Sequence, residues 1–311
     1  MLSVSPHCAV AFKKAWLAPR HWLTWLIVFF IFLLSLLPTS MRHWMGTQLG
    51  HWSYRQNTKR RHIIRRNLQL CFPELSSQQH EKLVRENFRY TGMAYLDYSI
   101  LFFASKKRLA KLVEIEGFEH IEKAKAENKN VMFLFGHSVM LEFTAIPICE
   151  KFDCCGSYKH LSNPIANWFV ARGRCRYGKS LVSRKEGFRR LIKEGKRGRL
   201  LFFLPDEDHG EEHSIFAPFF AAEKATLTTP PRLARMTKAV ALPLMGFWDE
   251  KRRKYRIMIL PALENYPSKN AKQDAIKLNQ AMETLIQYYP EQYMWMLKIF
   301  KTRPNGEKAV Y

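Results

Sequence analysis

The hydrophobic pattern opens with "WLTWLIVFFIFLLSLL", Trp22 to Leu37, sixteen residues without a charge. Lys59 to Leu70 then sets Ile63, Ile64, Leu68 and Leu70 among basic residues, the pattern of a basic amphipathic helix on a membrane surface. "CFPELSSQQ" breaks that pattern, and Gln78 to Phe103 carries a long helical period. Beyond it, short apolar runs alternate with helical ones. Strands are predicted at "KLVEIEG", Val131 to Phe135, Cys154 to Tyr158, Leu200 to Leu204, Val240 to Phe247 and Tyr255 to Leu260. Helices are predicted at Phe118 to Glu127, Pro164 to Arg172, Lys185 to Glu194, Pro231 to Lys238 and Asn270 to Tyr288. The alternation predicts an α/β fold, a mostly parallel central sheet flanked by helices. Three parts follow: residues 1–40 with a membrane anchor helix over 22–37, a basic juxtamembrane and helical segment over 41–110, and an α/β core over 111–311.

As a helix, the apolar run would be about 24 Å long against a hydrocarbon core of roughly 30 Å, so it marginally spans or lies partly embedded. No small-residue cleavage site follows it, which favours a retained anchor over a signal peptide. Charge sharpens this picture. The chain of 311 residues carries 50 Lys and Arg against 27 Asp and Glu, and its first acidic residue is Glu74. Lys13, Lys14 and Arg20 precede the run, whereas Arg42, Arg55, Lys59, Arg60, Arg61, Arg65 and Arg66 follow it, a bias that keeps the following domain in the cytoplasm. A net charge of +23 implies an anionic partner. Basic residues beside an anchor suit anionic lipid, and no recognition motif argues for nucleic acid. The six cysteines, at 8, 71, 149, 154, 155 and 175, show no framework spacing, so reduced, buried thiols are expected.

Two strand ends carry chemistry. In "NVMFLFGHSVMLEF" the strand runs into His137, with Glu142 five residues on. If His137 sits in the turn before a helix capped by Ser138, the carboxylate can swing back to its ring, giving a general base with an orienting acid. The functionless reading is a strand-end histidine in a hydrogen bond and a solvated glutamate. The second end, "LFFLPDEDHGEEHS", delivers Asp206, Glu207, Asp208 and His209. His209, Glu212 and His213 match an HxxEH zinc pattern, but Gly210 inside it and Pro205 and Pro218 around it deny the continuous helix those ligands need. A third cluster, "ARGRCRYGKS", holds Arg172, Arg174, Arg176 and Lys179, guanidinium forks suited to phosphate or a solvated helix end.

With these clusters and the C-terminal "PEQYMWMLKIFKTRP" in view, the chain resembles the lipid A late acyltransferases of the lauroyl/myristoyl transferase family. The resemblance extends over nearly all the chain after the anchor and includes "RRNLQLCFPELS", "GHSVMLE" as an HxxxxE/D motif, "ARGRCRYG", "LPDEDHGEEHSIFAPFF" and "KATL". "DHG" and "EEHS" look closer to the myristoyl-transferring branch than to the lauroyl branch, where tyrosine usually replaces His209, while Met296, Leu297 and Ile299 depart from the common His-Arg-Arg-Phe run. The resemblance implies a glycerolipid-acyltransferase-like fold at the cytoplasmic face of a Gram-negative inner membrane. It implies transfer of a myristoyl or lauroyl chain from acyl carrier protein to a hydroxyacyl hydroxyl of a Kdo-lipid A precursor, with no cofactor and no metal. It assigns His137 as base, Glu142 as the group fixing its tautomer, and Arg174 to a phosphate or the oxyanion. Asp206 or Asp208 would hold sugar hydroxyls or orient Arg174, with Arg172, Arg176 and His209 completing the substrate-binding set. A glycerolipid acyltransferase would carry an FPEGTR-like block downstream, whereas here "FPE" stands upstream at Phe72 to Glu74. A non-catalytic lipid-surface binder would explain the charge but not two polar clusters at strand ends.

Overall fold

Strand β2 (Asn130–Phe135) lies at the middle of a seven-stranded sheet. This computed structural model describes residues 11–158, 160–176, 180–183 and 187–311, so Cys8 and Lys179 lie outside the described residues. The other sheet strands are β1 (Val113–Glu116), β3 (Cys154–Tyr158), β4 (Ser180–Ser183), β5 (Leu200–Phe203), β8 (Ala239–Asp249) and β9 (Lys254–Ile259), in the order β1-β9-β8-β2-β5-β3-β4. β8 and β9 pair antiparallel; the remaining neighbours are parallel. The fold class expected from the alternating pattern is the one observed. A separate hairpin, β6 (Ser214–Phe219) with β7 (Ala222–Leu227), follows β5.

Side chains alternate across β2, so Met132 and Leu134 enter one apolar cluster while Val131, Phe133 and Phe135 enter another on the opposite face. Burial on both faces is what a parallel sheet requires, and it explains the unbroken apolar run. Helices α3 (Thr58–Cys71) and α4 (Ser77–Phe103) belong to this packing, and α5 (Lys106–Leu112) and α6 (Phe118–Ala126) follow them along the chain. Ile64, Leu68, Val84 and Phe88 join the Met132 cluster, and Met93 and Ile100 join the Phe133 cluster. The apolar face of α3 therefore covers the protein core rather than lipid, correcting the expectation of a membrane-surface helix there. Its Asn67 donates to the carbonyls of Trp295 and Leu297, so the C-terminal segment is tied to the same face.

The apolar run forms α1 (Trp22–Leu36), of which Ser35 alone is buried. Helix α2 (Thr39–Gln56), which the hydrophobic pattern did not announce, runs antiparallel along α4 because glycines let the two backbones meet. A Cβ on Gly46 would stand 2.6 Å from Met93 Cα, one on Gly50 2.4 Å from the Phe88 carbonyl oxygen, and one on Gly92 2.2 Å from the Gly46 carbonyl oxygen. Arg42, expected to face lipid headgroups, is instead fully buried on Asp97. Cys71, Cys149, Cys154 and Cys155 are free and buried, as expected.

Candidate active site

Parallel pairing brings the two polar strand ends together. Leu134 of β2 pairs with Phe203 of β5, and three residues beyond each stand His137 and Asp206. His137 Nδ1 lies 2.5 Å from Asp206 Oδ1, and the His137 backbone N–H donates to Asp206 Oδ2 at 2.7 Å. Tyr293 donates its hydroxyl to the same oxygen at 2.9 Å. Burial pushes the Asp206 carboxyl up, but the His137 ring, its hydrogen bonds and the buried Lys224 ammonium outweigh this and hold it down at about 2. An ionised Asp206 accepts from Nδ1–H, so whenever the ring is neutral its lone pair lies on Nε2. Glu207 Oε1 stands 3.4 Å from that nitrogen.

The ring therefore has a carboxylate partner, but that partner is Asp206 and not Glu142, the one expected. Both oxygens of Glu142 meet Arg174: Nε donates to Oε2 at 3.0 Å, and Nη2 pairs with Oε1. The reason is local. The helix after His137 starts only at Leu141, as α7 (Leu141–Lys151), so Glu142 lies in its first turn facing α8 (Pro164–Cys175), whose last turn carries Arg174. Burial lowers the Arg174 pKa and Glu142 raises it, with the net shift upward. Ser138 does not cap α7, whose N-cap is Met140; its hydroxyl is buried without a hydrogen-bond partner.

The remaining expected residues divide. Arg172 stacks over the Trp168 ring at 5.4 Å, and Arg176 donates to the Phe102 carbonyl at 3.0 Å, so both brace α8. Asp208 accepts from the Thr302 N–H and hydroxyl, each at 2.7 Å, and from Gly210 N–H at 3.0 Å. It ties its loop to the C-terminal segment; Asp206 meets His137, and Arg174 pairs with Glu142 instead of with either aspartate. His209 is exposed beside Glu207, at 3.4 Å. Residues 211–213 form a single 3-10 turn leading into β6, so the HxxEH residues have no helix to align them. Among the described residues no cluster of three or more His, Cys, Asp or Glu could hold a metal.

The sequence reading missed the supports. Met294 N–H donates to the His137 carbonyl, Val139 N–H donates to that of Gln292, and Tyr98 donates its hydroxyl to the Val139 carbonyl at 2.8 Å. Asn87 of α4 holds the carbonyls of Glu291 and Tyr293 in turn. "PEQYMW" is thus a strap across the His137 loop. Its tyrosine and tryptophan were visible as a motif, but nothing local to either segment says that they meet.

A family model described as bacterial lipid A biosynthesis acyltransferase matches residues 9–302. The chain is similar to the lipid A biosynthesis lauroyltransferase of Escherichia coli (strain K12), at 35% identity over 96% of this chain and 98% of that protein. It is similar to the palmitoleoyltransferase of that strain at 33% identity, over 98% and 99%. Its identity to the myristoyltransferase of that strain is 31%, over 96% and 93%. Identities this close do not single out the branch suggested by His209.

Proposed function

The chain belongs to the bacterial lipid A biosynthesis acyltransferase family, and on that premise we propose that it moves a myristoyl or lauroyl chain from acyl carrier protein to a hydroxyacyl hydroxyl of a Kdo-lipid A precursor, with His137 as general base. The observation that carries this reading is His137 Nδ1 held on buried Asp206, which leaves Nε2 to take a proton. The acceptor hydroxyl gives its proton to Nε2 as its oxygen attacks the thioester carbonyl, and Asp206 stabilises the imidazolium. The C–S bond then breaks, the departing sulfur takes the proton back, and the products are the new ester and the free carrier thiol. A chain of +23 suits an acidic carrier, and the charge flanking α1 supports a catalytic domain at the cytoplasmic face of the inner membrane. The experiment is acyl transfer from acyl carrier protein to a Kdo-lipid A precursor, with the product read by mass spectrometry. A purified protein that folds but transfers no acyl chain would overturn the reading.

Arg174 is the arginine of its cluster whose guanidinium meets a carboxylate in the first turn after the base. It holds an acceptor phosphate or the developing oxyanion, and kinetics separate the two. Arg174→Ala raises the acceptor KM in the first case and lowers kcat in the second, and Glu142→Ala moves the same parameter because it frees the fork. Lysine at 174 rescues only in part, since a point charge cannot reproduce a bidentate fork. Unchanged kinetics in Arg174→Ala would refute both roles.

Chelator treatment should leave the rate unchanged, because the HxxEH residues lie on a loop and a 3-10 turn. Stoichiometric zinc in the purified protein, with activity lost on its removal, would reverse this.

A further inference from the structure

Helix α2 buries one side and exposes another with a distinct chemistry. Gly46 and Gly50 face α4, while Met41, Trp44, Gln48, His51, Trp52 and Arg55 are exposed. At about 100° per residue these six fall within a roughly 100° arc on the side away from the glycines. Met41 is 48% exposed, Trp44 65% and Trp52 60%, an unusual amount of aromatic surface to leave in water. No acidic residue occurs anywhere in α2.

α2 follows α1 directly in the chain. Two residues, Leu37 and Pro38, separate the helices, and the junction is clamped: Arg42 Nη1 donates to the Leu37 carbonyl at 2.5 Å, and Arg108 donates to those of Ser35 and Leu37 at 2.6 and 3.0 Å. α1 itself rests on the domain at intervals, through Trp25 on Trp168 and Phe32 on Phe103, and exposes Leu23, Ile27 and Phe30 outward. A rigid junction means that α2 cannot swing away from whatever surface receives the outward side of α1. Tryptophan rings are favoured at the headgroup level, where the ring is buried and the N–H stays wet, and arginine and histidine beside them match anionic headgroups.

We propose that α2 is an interfacial helix: its Met41–Trp44–Trp52 stripe lies in the headgroup region of an anionic lipid bilayer, and the domain is held to the membrane along α2 as well as through α1. This places on α2 the surface contact that the sequence pattern assigned to α3. The inference rests on the reading of α1 as an anchor and is independent of the reaction.

The test is spin labelling of the full chain in anionic phospholipid vesicles, at Trp44→Cys, Trp52→Cys, Phe30→Cys in α1, and Gln280→Cys on the exposed side of the C-terminal helix (Ala271–Tyr288), with labelled wild type subtracted. Labels at 44 and 52 should show a ratio of oxygen to nickel-chelate accessibility several-fold above that at 280, with 30 higher still. If 30 faces lipid but 44 and 52 match 280, the interfacial helix is wrong and the anchor stands. If 30 also matches 280, the anchor reading fails with it. Labels at 44 and 52 that are immobilised and shielded from both reagents would show a protein partner on the stripe and overturn the proposal.

Discussion

His137→Ala should cut acyl transfer by roughly 10²- to 10⁴-fold, the worth of a positioned general base. Asp206→Asn should cut kcat by a comparable factor and leave the acceptor KM near wild type, because the amide oxygen stays on the His137 N–H and Tyr293 hydroxyl donors, and its NH2 then faces Nδ1 and selects the wrong tautomer. Glu142→Ala belongs to a different class, since its carboxylate is spent on Arg174. Wild-type kcat in both His137→Ala and Asp206→Asn would sink the assignment. Asp206 also contributes to the acid sensitivity of the fold. Its folded pKa, about 2, lies below the unfolded carboxylate value of about 3.9, so its ionised form stabilises the fold above that value and the contribution is lost as pH falls toward 2. Asp206→Asn should flatten the wild-type dependence of unfolding temperature on pH in that window.

The largest effect on stability should come from a pair remote from His137. Arg42 and Asp97 are both fully buried, and Arg42 Nε donates to Asp97 Oδ1 at 2.8 Å. His43 Nε2 lies 2.6 Å from the other carboxylate oxygen, which also accepts the hydroxyl of Tyr255. Asp97→Ala would leave a guanidinium in the dry space between α2, α4 and β9, at a cost of about 3–5 kcal/mol. In a chain of this size that corresponds to a fall in Tm on the order of 10 °C. The loss should extend to the α1 junction, where Arg42 holds the Leu37 carbonyl. A thermal scan of Asp97→Ala within about 2 °C of wild type would show the pair to be worth no more than an exposed ion pair.

Much of the fold was legible because burial leaves a period. The run before His137, the strand at Cys154 to Tyr158 and the C-terminal helix were read nearly to the residue, since each is an apolar run or stripe between turn residues. α2 was not, because its packed face is glycine and its aromatic face is exposed, the reverse of the usual pattern. The hairpin β6–β7 was missed because "IFAPFF" carries no alternation. At the site, His137, Glu142, Arg174 and Asp206 were all identified as residues, but their pairing was not. Which carboxylate meets which cation depends on the order of strands in the sheet and on where α7 begins, and neither is written in the local sequence.

The parallel register of β2 and β5 carries one more consequence. His137 and Asp206 are 69 positions apart, the same offset as Leu134 and Phe203, so the contact is encoded as a count of residues beyond a paired rung. One residue inserted after Phe203 would lengthen the segment between the paired rung and Asp206 and move its carboxylate out of step with His137. Substitution at Leu204 or Pro205 should thus be tolerated more readily than any change of length there. Among chains with this sheet, gaps between β5 and the aspartate should be rarer than differences of residue in the same two positions.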